Sequence, residues 1–327
     1  MAHGQAVWAN PSSPHAEGRA ARAALEDARA RVQAALGWAG EVVFTSGASE
    51  ALHLALTRAR VDRCLVSAVE HDAVLRAAPQ AEVLSVRGAT IDPAALARAL
   101  DQPGRALVAL QAINSETGTV LIPHEGSPVL DQVRSAGGLL LADCSQSAGR
   151  VPLPDADMVV ISAHKFGGPI GAGALLVRDF AMLEATGGQE RGYRSGTENL
   201  PAVLGMAAAL EAGGLESWPT SYPDRYEFRD LLHKKGRVLK LGPQCSHVLA
   251  VTHPQMSARA LLIRLDGLGF AVSAGSACSS GSLKPSRVLQ AFGLSEEEAG
   301  RTIRVSLGWS TTTQDLEAFL AAWKSLL

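Results

Sequence analysis

Seven short apolar runs punctuate the first 180 residues: EVVFTS (41–46), RCLVSAV (63–69), AEVLSVR (81–87), RALVALQAI (105–113), GLLLADC (138–144), DMVVISA (157–163) and AGALLVRD (172–179). Each is bounded by Gly, Pro, Asp or Ser, and several are apolar almost throughout, as strands covered on both faces should be. Helical patterns fill the gaps, including SEALHLALTRA and IDPAALARALD, where Asp92 can cap and Pro93 sits at the first helical position. This alternation predicts an α/β layer architecture around a mainly parallel, seven-stranded sheet. After LPAVLGMAAALEA the texture changes to a mixture of Gly, Pro and aromatic residues. A division near residue 212 follows, with a large domain over 1–211 and a smaller C-terminal α/β domain over 212–327.

Thirty basic against 32 acidic side chains give a net charge of −2, which leaves no electrostatic footprint for nucleic acid or an anionic membrane. There is no apolar run of membrane-spanning length, and the start lacks a signal-peptide pattern, so a cytoplasmic protein is expected. Four cysteines occur without a CxxC pair or zinc spacing, which argues against a metal site or a disulfide framework. Cys64 in a strand, Cys245 in an irregular stretch and Cys144 beside Asp143 read as small packing groups. Cys278 differs. Its surroundings, SAGSACSSGS (273–282), can neither build a core nor hold a helix firmly, and Gly275 and Gly281 are candidate hinges on either side of the sulfur.

The most telling stretch for chemistry is SAHKFGGPIGAG (162–173). Lys165 directly follows an apolar strand, and an apolar setting favours the neutral amine that Schiff-base chemistry needs. A lysine that merely caps a strand end is the alternative. Asp143 closes an earlier strand, so both side chains can project from one edge of a sheet, where ligands of such sheets bind. An aspartate in that crevice needs a cationic partner, and a protonated pyridine nitrogen would supply one. In TSGASEALHLAL (45–56) a strand runs through Gly-Ala-Ser into a helix, presenting free N–H groups and a dipole end to an anion.

These stretches, with NPSSPHAEGRAAR, EHDAV, NSETGT, DCSQSAGR, GGQERGYRSGTENLPAVLG and IRVSLG, occur in the order found in cysteine desulfurases of the group with the longer, mobile cysteine loop. The sequence resembles that family from about residue 10 onward, least between 213 and 248. The resemblance implies a pyridoxal 5′-phosphate enzyme of fold type I, within the class V aminotransferase-like set. It implies that Lys165 anchors the cofactor and moves the substrate's α-proton, while Asp143 keeps the ring nitrogen protonated. Gln146 and Asn114 would meet the ring oxygen, Asn114 also lying beside the substrate carboxylate, and His71 would stack on the ring and serve in proton transfer. Ala48, Ser49, Ser162 and His164 would surround the phosphate, with Thr197 reaching the phosphate of a second subunit in a homodimer. Arg304 would fork onto the α-carboxylate of L-cysteine. Cys278 would take the sulfur as a persulfide and hand it to an acceptor protein, an iron-sulfur scaffold or a thiolation carrier.

The sequence also departs from the family pattern. Ser49 stands where threonine is usual, Trp309 follows SLG where arginine is common, and only QAVWAN precedes the NPSS stretch, which implies either a more open entrance to the site or a truncated start. Two other readings are compatible with the sequence: a different class V enzyme, such as a selenocysteine lyase or an aminotransferase, and a catalytically idle scaffold that binds the cofactor.

Overall fold

All seven apolar runs contribute strands to one sheet in the computed structural model, which describes residues 1–275 and 286–327. The strands are β1 (Glu41–Thr45), β2 (Arg63–Ser67), β3 (Glu82–Leu84), β4 (Ala106–Gln111), β5 (Leu139–Asp143), β6 (Met158–Ser162) and β7 (Gly173–Val177), in the order β1-β7-β6-β5-β4-β2-β3. From β6 through β5, β4 and β2 to β3 the pairing is parallel; β7 runs antiparallel to both its neighbours, β1 and β6. Every residue of β4 to β7 is buried, which accounts for their unbroken apolar character.

Helices cover the sheet. Ala48–Arg58 lies across β5, β6 and β7 and sends Leu52, Ala55 and Leu56 into a core with Val66, Leu141, Val160 and Leu175. Each fully buried leucine there contributes about 1.5–3 kcal/mol relative to exposure. The long helix Ala16–Leu36 buries Ala21, Leu25, Ala28 and Val32 and packs along Leu200–Glu211, whose uniformly apolar sequence is explained by burial. IDPAALARALD forms a helix that begins at Pro93, as its sequence predicts.

The C-terminal third holds a second sheet of β8 (Arg237–Val238), β9 (Val248–Thr252) and β10 (Thr302–Ser306), all antiparallel. Helices Tyr222–His233, Ala258–Gly267 and Thr313–Ser325 close a core containing Phe228, Leu261, Phe319 and Trp323.

The chain forms two compact units, one of Met1–Leu84, Pro93–Ala112 and Ile122–Gly214, the other of Ser85–Asp92, Ile113–Leu121 and Leu215–Leu327. Alongside residues 215–327, beyond the division expected near 212, the second unit also takes in residues 85–92 and 113–121. AEVLSVR is also not one strand: β3 stops at Leu84, the Asp92 N–H bonds to the Ser85 carbonyl, and Val86–Arg87 pairs with Thr90–Ile91 as a hairpin of the smaller unit. No helix among the described residues is long and apolar enough to cross a membrane. No cluster of His, Cys, Asp or Glu among them could hold a metal ion.

Candidate active site

Strand register in the larger unit brings several of the singled-out residues to one sheet edge. Asp143 is the last residue of β5 and pairs with Val160, two positions before Ser162 at the end of β6; on the other side it pairs with Gln111 at the end of β4. Gly173, at the start of β7, pairs with both Ser162 and Thr45 of β1. A Cβ at position 173 would lie 2.7 Å from the Gly47 Cα and 2.7 Å from the Ile161 carbonyl oxygen, so only glycine lets the turn after β1 close over this edge. Gly47 itself has φ +154° and is the N-cap of Ala48–Arg58, where it offers no side-chain cap. The first N–H groups of that helix, including those of Ala48 and Ser49, lie at the positive end of the helix dipole, and a Cβ at Gly47 would be 3.8 Å from Ser162 Oγ.

Lys165 ends the single turn Ala163–Lys165 that follows β6 and is half-buried. Its carbonyl accepts from the Arg150 guanidinium, which also donates to the Gln146 carbonyl at 3.0 Å. Arg150 so ties the turn after β5 to the turn that carries the lysine. Ser162 Oγ lies 3.0 Å from His164 Nδ1. Partial burial and the Lys165 charge lower the pKa of His164, which keeps that imidazole neutral at neutral pH. Asp143 Oδ1 accepts from the Ser145 N–H at 2.9 Å and from the Ser145 hydroxyl at 2.5 Å.

His71 caps the short helix Asp72–Ala77. Its Nδ1 accepts the Ala73 N–H at 3.1 Å, so the ring proton sits on Nε2. Beside it stands Glu70, which sequence reasoning did not single out. Glu70 is fully buried, and its Oε1 accepts from the Ser67 hydroxyl and from the Gln111 N–H, both at 3.0 Å. Burial, reinforced by the negative charge of Asp143, pushes its pKa up to about 8 despite those bonds. The signal was available: an acidic residue directly after the apolar run RCLVSAV, within EHDAV. Cys144 is completely buried and its thiol is pushed up to about 12, mainly by burial, which makes it a packing group.

Asn114 and Arg304 belong to the smaller unit. Asn114 is fully buried and its Oδ1 accepts from Glu116 N, Thr117 N and Thr117 Oγ1, which folds NSETGT into a tight turn. Arg304, on β10, donates from Nη1 to the Ser115 carbonyl at 3.0 Å and from Nη2 to Ser273 Oγ at 3.2 Å, while its backbone pairs with Ser273. Its guanidinium is therefore held in place beside that turn. Thr197 lies exposed in the segment before Leu200–Glu211. Cys278 and the candidate hinge Gly281 lie outside the described residues.

At the sheet edge, Asp143 is only 7% exposed yet makes no ion pair among the described residues. A carboxylate so placed suits a flat cationic ring, and the uncapped helix start beside Ser162 suits a phosphate. The lysine that ends the turn after β6 suits a carbonyl carbon. Pyridoxal 5′-phosphate has all three groups, so the residues present fit it. The sequence matches the family described as aminotransferase class-V over residues 5–319. The chain belongs to that family. Class V members of this kind use pyridoxal 5′-phosphate, and the seven-stranded, mostly parallel sheet is their fold-type-I arrangement. Among class V relatives the chain is similar to a cysteine desulfurase of Frankia sp. (strain EuIK1), 36% identical over 94% of this chain and 82% of the relative. Its fold resembles that of a NifS-like protein from Rickettsia africae ESF-5, with a TM-score of 0.84, 28% identity, and coverage of 97% of this chain and 91% of that one. SspA, solved in complex with cysteine, has a TM-score of 0.77 at 28% identity, covering 94% and 93% of the two chains.

Proposed function

We propose that the protein is a pyridoxal-phosphate-dependent cysteine desulfurase that converts L-cysteine to L-alanine and leaves the sulfur as a persulfide on Cys278. The observation that carries this reading is the sheet edge shared by Asp143, Ser162 and Lys165, in a chain similar over 94% of its length to a cysteine desulfurase. When bound, the cofactor withdraws electrons from the substrate's α- and β-carbons, which allows the bond to sulfur to break. The chain supplies the rest. Lys165 anchors the cofactor covalently and then takes the proton from the substrate's Cα. Asp143 holds the proton on the ring nitrogen, and Gln146 and Asn114 donate to the ring oxygen. His71 would face the ring, with its Nε2 proton as the one it could pass on. Ala48, Ser49, Ser162, His164 and the partner subunit's Thr197 bind the phosphate, which makes the working unit a homodimer. Arg304 binds the substrate carboxylate, oriented by Ser115 and Ser273.

The Cys278 thiolate attacks the substrate sulfur. The S–S bond forms as the C–S bond breaks, and the electron pair of the broken bond stays on carbon, which takes up a proton to become the methyl group of alanine. The persulfide passes to an acceptor protein, an iron-sulfur scaffold or a thiolation carrier, in the cytoplasm. Holoenzyme incubated with L-cysteine should release alanine, and Lys165→Ala should lower that rate by on the order of a thousandfold or more. Alanine formation by Lys165→Ala at the wild-type rate would overturn the reading. A preference for selenocysteine, or transfer of the amino group to an oxo acid, would replace it with one of the other class V activities.

A further inference from the structure

We propose that Glu50 and Arg194 are positioning residues for the phosphate turn: Glu50 shapes residues 46–49 from within the helix, and Arg194 cancels its charge so that the helix start still accepts an anion. The inference rests on the reading above that this turn takes the cofactor phosphate. Glu50 is the third residue of Ala48–Arg58. Its Oε2 accepts the Ser46 N–H at 2.6 Å, which pins the backbone ahead of Gly47. That leaves a full negative charge within the first helical turn, close to where a phosphate would sit, and two like charges there oppose each other. Arg194 meets it in a fork, Nε to Oε1 at 2.8 Å and Nη2 to Oε2 at 3.4 Å. The two side chains are 15% and 27% exposed, so water screens the pair only in part.

Arg194 does not act from a loose loop. Its Nη1 also donates to the Gly196 carbonyl at 3.2 Å, one residue before Thr197. Upstream, Glu190 and Arg191 adopt φ +49° and +56°, unusual for residues with side chains, and both are held by ion pairs: Glu190 by the buried Arg29, Arg191 by Glu41. The segment that carries Arg194 is thereby fixed on Ala16–Leu36 and β1, and Arg194 extends that fixation to the turn after β1. Neither residue touches a reacting atom.

The test is a titration of the apoprotein with pyridoxal 5′-phosphate and, separately, with pyridoxal, which lacks the phosphate, followed by cofactor absorbance for wild type, Arg194→Gln, Glu50→Gln, the double variant and Arg194→Lys. Arg194→Gln exposes the Glu50 charge and should weaken pyridoxal phosphate binding by roughly 10- to 100-fold while changing pyridoxal binding less than about twofold. Glu50→Gln should bind pyridoxal phosphate as tightly as wild type or tighter. The double variant and Arg194→Lys should each recover most of the loss, and these carry the test if Arg194→Gln does not fold. The inference is overturned if the double variant binds as weakly as Arg194→Gln, if Glu50→Gln is weakened tenfold, or if pyridoxal and its phosphate lose affinity together. A wild-type protein with no preference for the phosphate would instead overturn the phosphate-site reading beneath it.

Discussion

Two carboxyl groups share the polar end of the sheet, and their environments divide the labour between them. Asp143 keeps a hydrogen-bonded oxygen and a place for a cation, whereas Glu70 is enclosed and holds a proton through neutral pH. Because the folded-state pKa of Glu70 is raised, from 4.5 to about 8, its neutral form favours the folded chain. That contribution is complete at acidic pH and is lost as pH rises from about 4.5 through 8. Asp143 is the charged neighbour that deepens the effect. Glu70→Gln keeps an oxygen for Ser67 and Gln111 without the charge, so its melting temperature should match wild type near pH 5 and exceed it by a few degrees at pH 9. A constant difference across that range would contradict the assignment. On the proposed function, Asp143→Asn removes the charge that would face the ring nitrogen; alanine formation should fall by a hundredfold or more, with the protein still folded by circular dichroism.

At the scale of elements, the segment ahead of Leu200–Glu211 depends on a buried ion pair. Arg29 meets Glu190 at 2.8 and 3.0 Å, with both side chains almost wholly buried, and Glu190 also accepts the Phe44 N–H at 2.8 Å. Arg29→Ala leaves the carboxylate buried and unpaired, and denaturant unfolding should show a loss of about 3–5 kcal/mol. A loss under about 1 kcal/mol would mean that the pair holds nothing. None of this was legible in the sequence, since 161 positions separate the partners and neither residue type is informative by itself. The strands were legible because burial on both faces leaves continuous apolar runs. Asp143 and Lys165 stood out for a related reason, since each puts a charged residue at or just past the end of such a run, and the Gly-Ala-Ser turn stood out as a strand running into a helix. The excursions Ser85–Asp92 and Ile113–Leu121 were missed because a two-residue strand and an Asx-type turn have no periodicity to read. In the second, Gly118 has φ +71° and a Cβ there would collide with the Val248 carbonyl.

At the scale of the whole molecule, the proposed homodimer has a consequence that can be measured. If Thr197 serves the partner subunit's phosphate, co-expressed Lys165→Ala and Thr197→Ala chains assemble hybrids in which both lesions fall in one site and the other site is intact. Activity should then return toward about a quarter of wild type, where either variant alone falls well below it. No recovery in verified hybrids would confine each site to one chain. The central claim is that sulfur moves from L-cysteine to Cys278. Holoenzyme treated with L-cysteine and analysed by intact mass and peptide mapping should gain one sulfur atom on the peptide carrying Cys278, with alanine formed in step, and Cys278→Ser should gain none and form little alanine. Alanine production undiminished in Cys278→Ser, with no added sulfur on the wild-type Cys278 peptide, would contradict it.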